Sequence, residues 1–226
     1  MLSKYMSRKC VPYTPFAGKL AELTVALVSS TGVYLEGQEP YAEEGDGTFR
    51  VIPGDADSAQ LRFKHNHLDL THAQKDPNAV FPLDRLRELA AEGFIKRVSN
   101  KHIGCKGFST DLKHQYENLA PAIAAEIERS QADAVVLTGG CPLCHRVITV
   151  AQREIEAKGI PTVLITVAPD DSGAMRPPRA IHPVGHALGR ILGGAGERDR
   201  QMRVLTEALR QFEFQHVPGK TIDFEP

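Results

Sequence analysis

Two cysteines and a run of histidines hold the chemistry that this sequence could perform. Cys141-Pro142-Leu143-Cys144-His145 follows an apolar, β-branched stretch, Ala134-Val135-Val136-Leu137-Thr138, that is closed by Gly139-Gly140. Such a stretch reads as a buried strand entering a tight turn. Leu143, Val147, Ile148, Ala151 and Ile155 then recur at helical spacing, and Gly159 supplies a stop. The spacing predicts a helix with Pro142 in its first position, Cys141 at the N-cap and Cys144 in the first turn. Free backbone N–H groups and the positive end of the helix dipole favour a thiolate at Cys141. A single Cys-x-x-Cys is a poor closed zinc site, which wants four ligands, so the pattern points to a nucleophilic or redox pair with Cys144 as the resolving thiol. An inert buried pair and half of a zinc knuckle are the competing readings.

The second group is His65-Asn66-His67-Leu68-Asp69-Leu70-Thr71-His72. On an extended segment His65, His67 and Asp69 share one face, where they could move protons or orient substrate beside the thiolate. His65, His67, Cys141 and Cys144 would together also make a ligand set, with zinc as the ion to consider. The run differs from the His-x-His-x-Asp-His of metallo-β-lactamases, where the last histidine directly follows the aspartate. A solvated loop is the plain alternative. His72, His145 and His182 are further candidates for contacting substrate, and Arg176 and Arg179 could grip a carboxylate through paired hydrogen bonds. Cys105 reads as a plain buried residue, with a resolving thiol as the alternative, and Cys10 has no evident partner.

The elements that must position these residues alternate between strand and helix. Thr24 to Ser29 is the first strand, continuously apolar as a strand covered on both faces would be. Residues 33–80 form a long insertion without helical period, with Phe49-Arg50-Val51-Ile52 as a short edge strand. A helix follows from Pro82 to Gly93, then a strand from Phe94 to Ser99, a loop from Asn100 to Thr110, and a helix through Ile127 that Pro121 starts or kinks. The cysteine strand and helix come next, then a strand from Pro161 to Val167. Ala168 to Gly185 reads as one Pro- and Gly-rich loop, with a short helix through Leu192, a last helix around Met202 to Phe212, and a frayed tail from Val217. This order predicts a single α/β domain: a mainly parallel, doubly wound sheet of flavodoxin or Rossmann type with helices on both faces and residues 1–22 as an N-terminal arm. Ligands bind beyond the carboxyl ends of such strands, which would bring the histidine and cysteine loops to one rim.

The totals describe an ordinary globular protein of 226 residues, with 42% hydrophobic residues, 24% charged residues and a net charge of -1. That balance argues against nucleic acid or an anionic membrane as partner. Lys4, Arg8 and Lys9 are followed by no apolar stretch of signal or membrane-spanning length, so a cytoplasmic protein is expected. Four cysteines are too few for a disulfide framework.

Taken together, the motifs resemble the selenoprotein B subunits of glycine, sarcosine, betaine and D-proline reductases. The likeness is carried by Thr24-Val25-Ala26-Leu27-Val28-Ser29-Ser30-Thr31-Gly32-Val33, Thr48 to Pro53, the His65-x-His67-x-Asp69 group, Val80 to Leu86, Thr138 to His145 and Gly159 to Val163. In that family the first residue of the pair is commonly selenocysteine, and this chain has Cys141 there. The resemblance implies an oxidoreductase that attacks a carbon whose amino group a pyruvoyl-type subunit or similar partner has activated, cleaves the C–N bond reductively, and is recycled by a thioredoxin-like donor. It implies a small amino-acid-like or amine substrate and partner subunits; a homo-oligomer is expected, and no cofactor is expected on this chain. A metal-binding protein and a non-catalytic subunit of a larger reductase are the alternatives.

Overall fold

The computed structural model describes residues 10–43 and 45–226. Residues 1–9 of the expected arm, with Lys4, Arg8 and Lys9, lie outside the described residues. The rest of the arm is held to the body: the Arg179 guanidinium donates to the Thr14 carbonyl at 2.6 Å and lies 4.2 Å from the centre of the Tyr13 ring.

The main sheet has eight strands. In chain order the strands of the structure are β1 (Thr24–Ser29), β2 (Val33–Leu35), β3 (Phe49–Pro53), β4 (Leu61–Phe63), β5 (Arg97–Val98), β6 (Lys101–Cys105), β7 (Ala134–Thr138), β8 (Thr162–Ile165), β9 (Ala180–Pro183) and β10 (Thr221–Phe224). The order across the main sheet is β10-β9-β8-β7-β1-β6-β3, with β5 also beside β1. Every pairing is parallel except that of the edge strand β3 with β6. The α-helices of five residues or more are α1 (Thr71–Lys75), α2 (Leu83–Ala91), α3 (Ala120–Ser130), α4 (Pro142–Glu156), α5 (Pro169–Ala174) and α6 (Arg198–Phe214).

All six residues of β1 are buried, and alternate side chains enter different cores. Val25 and Leu27 pack with the apolar faces of α2 and α6, whereas Ala26 and Val28 pack with those of α3 and α4. The sheet is therefore covered on both faces, which is why this strand is continuously apolar. The register sets the functional rim. Ser29 lies opposite Thr138 of β7 and Gly104 of β6, so three parallel strands end at one level. β1 leads on to α2 on one face and β7 to α4 on the other, so the crevice between their carboxyl ends is a switch point of the topology.

Several expectations need correction. The strand expected over Phe94–Ser99 is only the two-residue β5, and the main strand is β6, inside the expected loop. The break between them has a cause: buried His102 turns its Nδ1 toward β1 and accepts the Leu27 N–H at 2.8 Å, a bond a carbonyl would otherwise make. Burial pushes the His102 imidazole down to about 3, so it stays a neutral part of the sheet. Pro121, which has no N–H to give, follows a π turn over Gln115–Leu119 at the start of α3. The 33–80 insertion is structured: β2 and β4 pair as a separate antiparallel ribbon, β3 joins the main sheet, and α1 follows. The Ala168–Gly185 loop contains α5 and β9, no helix runs through Leu192, and the tail from Val217 carries β10 in parallel with β9. Among the described residues no helix is long and apolar enough to cross a membrane.

Candidate active site

Four segments meet at the switch point. Loops leave β1 at Ser30-Thr31, β6 at Lys106-Gly107 and β7 at Gly139-Gly140-Cys141, and the insertion contributes His65. Ser30 ties two of them: the Gly140 N–H donates to its Oγ at 3.2 Å, and its hydroxyl reaches the Cys144 carbonyl at 3.3 Å. Thr31 and Lys106 form an antiparallel bridge. Gly107 must be glycine for packing reasons, because a Cβ there would stand 2.7 Å from Cys144 Cα and 3.2 Å from its sulfur.

Cys141 is the N-cap of α4, with extended backbone (φ -77, ψ 174), and its sulfur accepts the Cys144 N–H at 3.4 Å. The two sulfurs are unbridged and 2.8 Å apart. His65 Nε2 lies 3.0 Å from Cys144 Sγ, and the His67 N–H donates to His65 Nδ1 at 3.1 Å. Because Nδ1 accepts an amide, the ring proton sits on Nε2, and His65 presents N–H to the sulfur. The Cys141 thiol is lowered, first by the hydrogen bond from Cys144 and then by His65 and the backbone amide, against the opposing effect of burial. Burial raises Cys144, and the neighbouring Cys141 charge adds to the shift. A negative charge on the N-cap sulfur would be met by the Cys144 thiol and amide.

His65, Cys141 and Cys144 bring their donor atoms within 4.8 Å of one another, the only such group of metal-ligating side chains among the described residues. Zinc would need the Nε2 lone pair, and so the loss of the His67 amide bond that keeps a proton on that nitrogen. The set as folded is a hydrogen-bonded triad. His67 is exposed and stacks on Phe108, with ring centres 3.7 Å apart.

The remaining candidates lie elsewhere. Asp69 is exposed and its Oδ1 accepts the Thr71 N–H at 2.9 Å, just before α1; that amide holds its carboxyl below the usual range. The segment turns after His65 instead of running extended, so the three side chains do not share a face. His72 Nδ1 accepts the Ala195 N–H at 3.0 Å. His145 is fully buried: Nδ1 donates to the Cys141 carbonyl at 2.9 Å, Nε2 accepts the Val167 N–H at 3.3 Å, and the ring fills the space beside Gly139. It braces the cysteine turn and has no nitrogen left for substrate. His182 lies on β9, 3.0 Å from Asp223 of the edge strand β10. Arg176 and Arg179 precede β9, so they lie at the amino ends of the parallel strands, away from the cysteines. Arg179 is fully buried and ion-paired at 2.9 Å with fully buried Glu156. The sequence offers these arginines as a carboxylate grip because β9 is hidden inside a supposed loop.

Sequence reasoning missed Ser30, Lys106, Gly107 and Phe108. The signal for the last three is Gly104-Cys105-Lys106-Gly107, which spans the end of β6. Cys105 is fully buried and its thiol is pushed up to about 12 by burial, whereas Cys10 is exposed.

A family model described as glycine/sarcosine/betaine reductase selenoprotein B matches residues 4–140. The D-proline reductase subunit gamma of Acetoanaerobium sticklandii is 37% identical over 210 residues, covering 93% of this chain and 86% of the relative. The glycine reductase complex component B subunit gamma of Carboxydothermus hydrogenoformans is 30% identical across 94% of this chain and 50% of its own length. The sarcosine reductase complex component B subunit beta of Peptoclostridium acidaminophilum is 30% identical across 90% of this chain and 48% of its own. The chain thus spans about half the length of these last two relatives. No solved structure matches it.

Proposed function

Because the chain belongs to the glycine/sarcosine/betaine reductase selenoprotein B family, we propose that it is the dithiol subunit of an amino-acid reductase complex, with Cys141 as nucleophile and Cys144 as resolving thiol. The Cys141 sulfur attacks the activated carbon; a C–S bond forms as the C–N bond breaks, and the nitrogen leaves with a proton. Cys144 then attacks the Cys141 sulfur, an S–S bond forms, the C–S bond breaks and the carbon takes a proton. Two thiols have supplied two electrons, and a thioredoxin-like dithiol returns them. His65 favours the return step, since its Nε2–H stabilises the Cys144 sulfur as a leaving thiolate when the disulfide is opened.

The observation that carries this reading is the pair of unbridged sulfurs 2.8 Å apart at a helix N-cap. Partner subunits, a pyruvoyl-type one among them, would activate the substrate. D-proline is the substrate to test first, because the relative named for it is matched over 86% of its length whereas the glycine reductase relative is matched over half. Cys141 is 2% exposed, so the loops around it have to part before substrate enters.

Mild oxidation of the reduced protein with glutathione disulfide, followed by digestion and mass spectrometry, tests the pair. A Cys141–Cys144 bridge is expected, with Cys105 left as a thiol. A bridge from Cys141 to Cys105, or two cysteines that stay reduced while Cys10 reacts, would remove Cys144 from the resolving role.

A further inference from the structure

We propose that the open edge of β10 is the contact surface for a second copy of this chain, the two β10 strands pairing antiparallel about a two-fold axis at Ile222. The inference stands apart from the dithiol reading, because β8 and β9 separate β10 from the cysteine strand β7.

Among the described residues β10 has a strand on one side only, β9. A bare strand edge is a template for another chain, and proteins commonly blunt it. This sheet does so at its other end, where the Gln38 side chain donates to the Val51 carbonyl of β3 at 2.8 Å. The bonds to β9 fix which way the β10 backbone points. The Phe224 carbonyl accepts the Val184 N–H at 2.8 Å. The Lys220 carbonyl accepts the Gln215 amide at 2.8 Å, and the same side chain accepts the Ala180 N–H of β9 at 3.1 Å. Lys220, Ile222 and Phe224 therefore face β9, and Thr221 and Asp223 turn both N–H and C=O to the free edge. Side chains alternate above and below this plane. Ile222 is in register with Ile181, which is buried in the core shared with α6, and Phe224 packs against that core. The large apolar side chains left exposed among the described residues are Val184, Phe214, Val217 and Ile222. All four lie on β10 or on chain next to it: Val184 is bonded to Phe224, Phe214 ends α6, and Val217 is in the turn that leads into β10. Apolar side chains gathered along an open edge mark a contact surface.

A second copy fits this edge because the strand is complementary to itself. With Ile222 on the axis, Thr221 lies opposite Asp223 of the second copy, and the two exchange both backbone hydrogen bonds. The reciprocal pair does the same on the other side of the axis. The two Ile222 side chains meet between them in a non-hydrogen-bonded pair, where opposed Cβ atoms come within about 5 Å. Centring the axis on Asp223 would instead set two carboxylates face to face. Centring it on Thr221 would set Asp223 opposite Gly219, whose φ of 84 is no strand conformation.

The test uses the full chain in a Cys10→Ser background, so that the exposed thiol forms no cross-link, with sedimentation equilibrium as the readout. The parent is expected to dimerise. Ile222→Glu sets two carboxylates on the axis and is expected to raise the dimer dissociation constant by about thirtyfold or more, the scale of a residue at the centre of an interface. Thr221→Pro removes an outward N–H while sparing the bonds to β9, so it should weaken the dimer as well, and it serves if Ile222→Glu does not fold. Ile222→Cys, oxidised with glutathione disulfide, should yield a disulfide joining the two chains at that position. A monomeric parent, a dimer that neither Ile222→Glu nor Thr221→Pro weakens, or an edge that pairs only with a different subunit of the complex would overturn the inference.

Discussion

Replacing Cys144 by serine is expected to turn the protein into a reagent that acts once. Its sulfur lies 2.8 Å from that of Cys141, and it alone in the site is placed to attack an adduct formed there. A serine hydroxyl cannot form the sulfur–sulfur bond, so carbon from the substrate stays on Cys141 as a thioether. Turnover of the assembled complex should fall by roughly 10³-fold or more, the scale seen when one member of a catalytic unit is lost. The intact mass of the subunit should rise by the substrate-derived group. A Cys144→Ser complex that turns over within about tenfold of the parent would show that a thiol on another chain resolves the adduct.

The second large effect concerns stability. Arg179→Met would leave the Glu156 carboxylate fully buried, bonded to the Thr162 amide and hydroxyl at 2.8 Å but without its cation. Removing one partner of a buried pair costs about 3–5 kcal/mol, and Thr14, which both partners hold, loses its anchor. Burial already raises the Glu156 carboxyl above its usual range against the pull of Arg179. Without the guanidinium the shift grows, so the folded state keeps a proton that the unfolded chain would release. A carboxyl raised in the folded state contributes stability at low pH that is lost as pH rises through its folded-state value. Urea unfolding should therefore show a smaller deficit near pH ~5 than at neutral pH, with thiol reactivity unchanged, since the pair lies at the amino ends of the strands and the cysteines at their carboxyl ends. A loss independent of pH would mean that packing, not charge, is what Arg179 supplies.

How much of this was legible in the sequence follows from where side chains, not backbone pattern, decide the structure. β1, β7 and the N-cap role of Cys141 could be read from apolar runs, paired glycines and a proline in the first helical position. β6 could not, because the His102 side chain replaces a backbone acceptor and Gly104 lies where a Cβ would stand 1.9 Å from the Val33 carbonyl. β9 and β10 are four residues each, mix polar with apolar positions, and form a strand pair only by lying beside each other. The carboxyl-end rule brought the histidine run near the cysteines, but it could not say which histidine would face the sulfur. That is decided by the turn at Asn66-His67, by the Thr71 N–H bonded to Asp69, and by Gly189 packing against the Asp69 carbonyl. Lys106 gave no signal of its burial, since a lysine after a strand reads as surface.

The central claim is that the two sulfurs of one chain supply both electrons. It is tested most directly by a single turnover of the assembled complex, fully reduced and then freed of external thiol, with D-proline given in excess. One cleaved product per chain is expected, with nitrogen released from the carbon, and one Cys141–Cys144 disulfide formed in equal amount. Product formed while both cysteines remain thiols, or a disulfide formed without product, would contradict it.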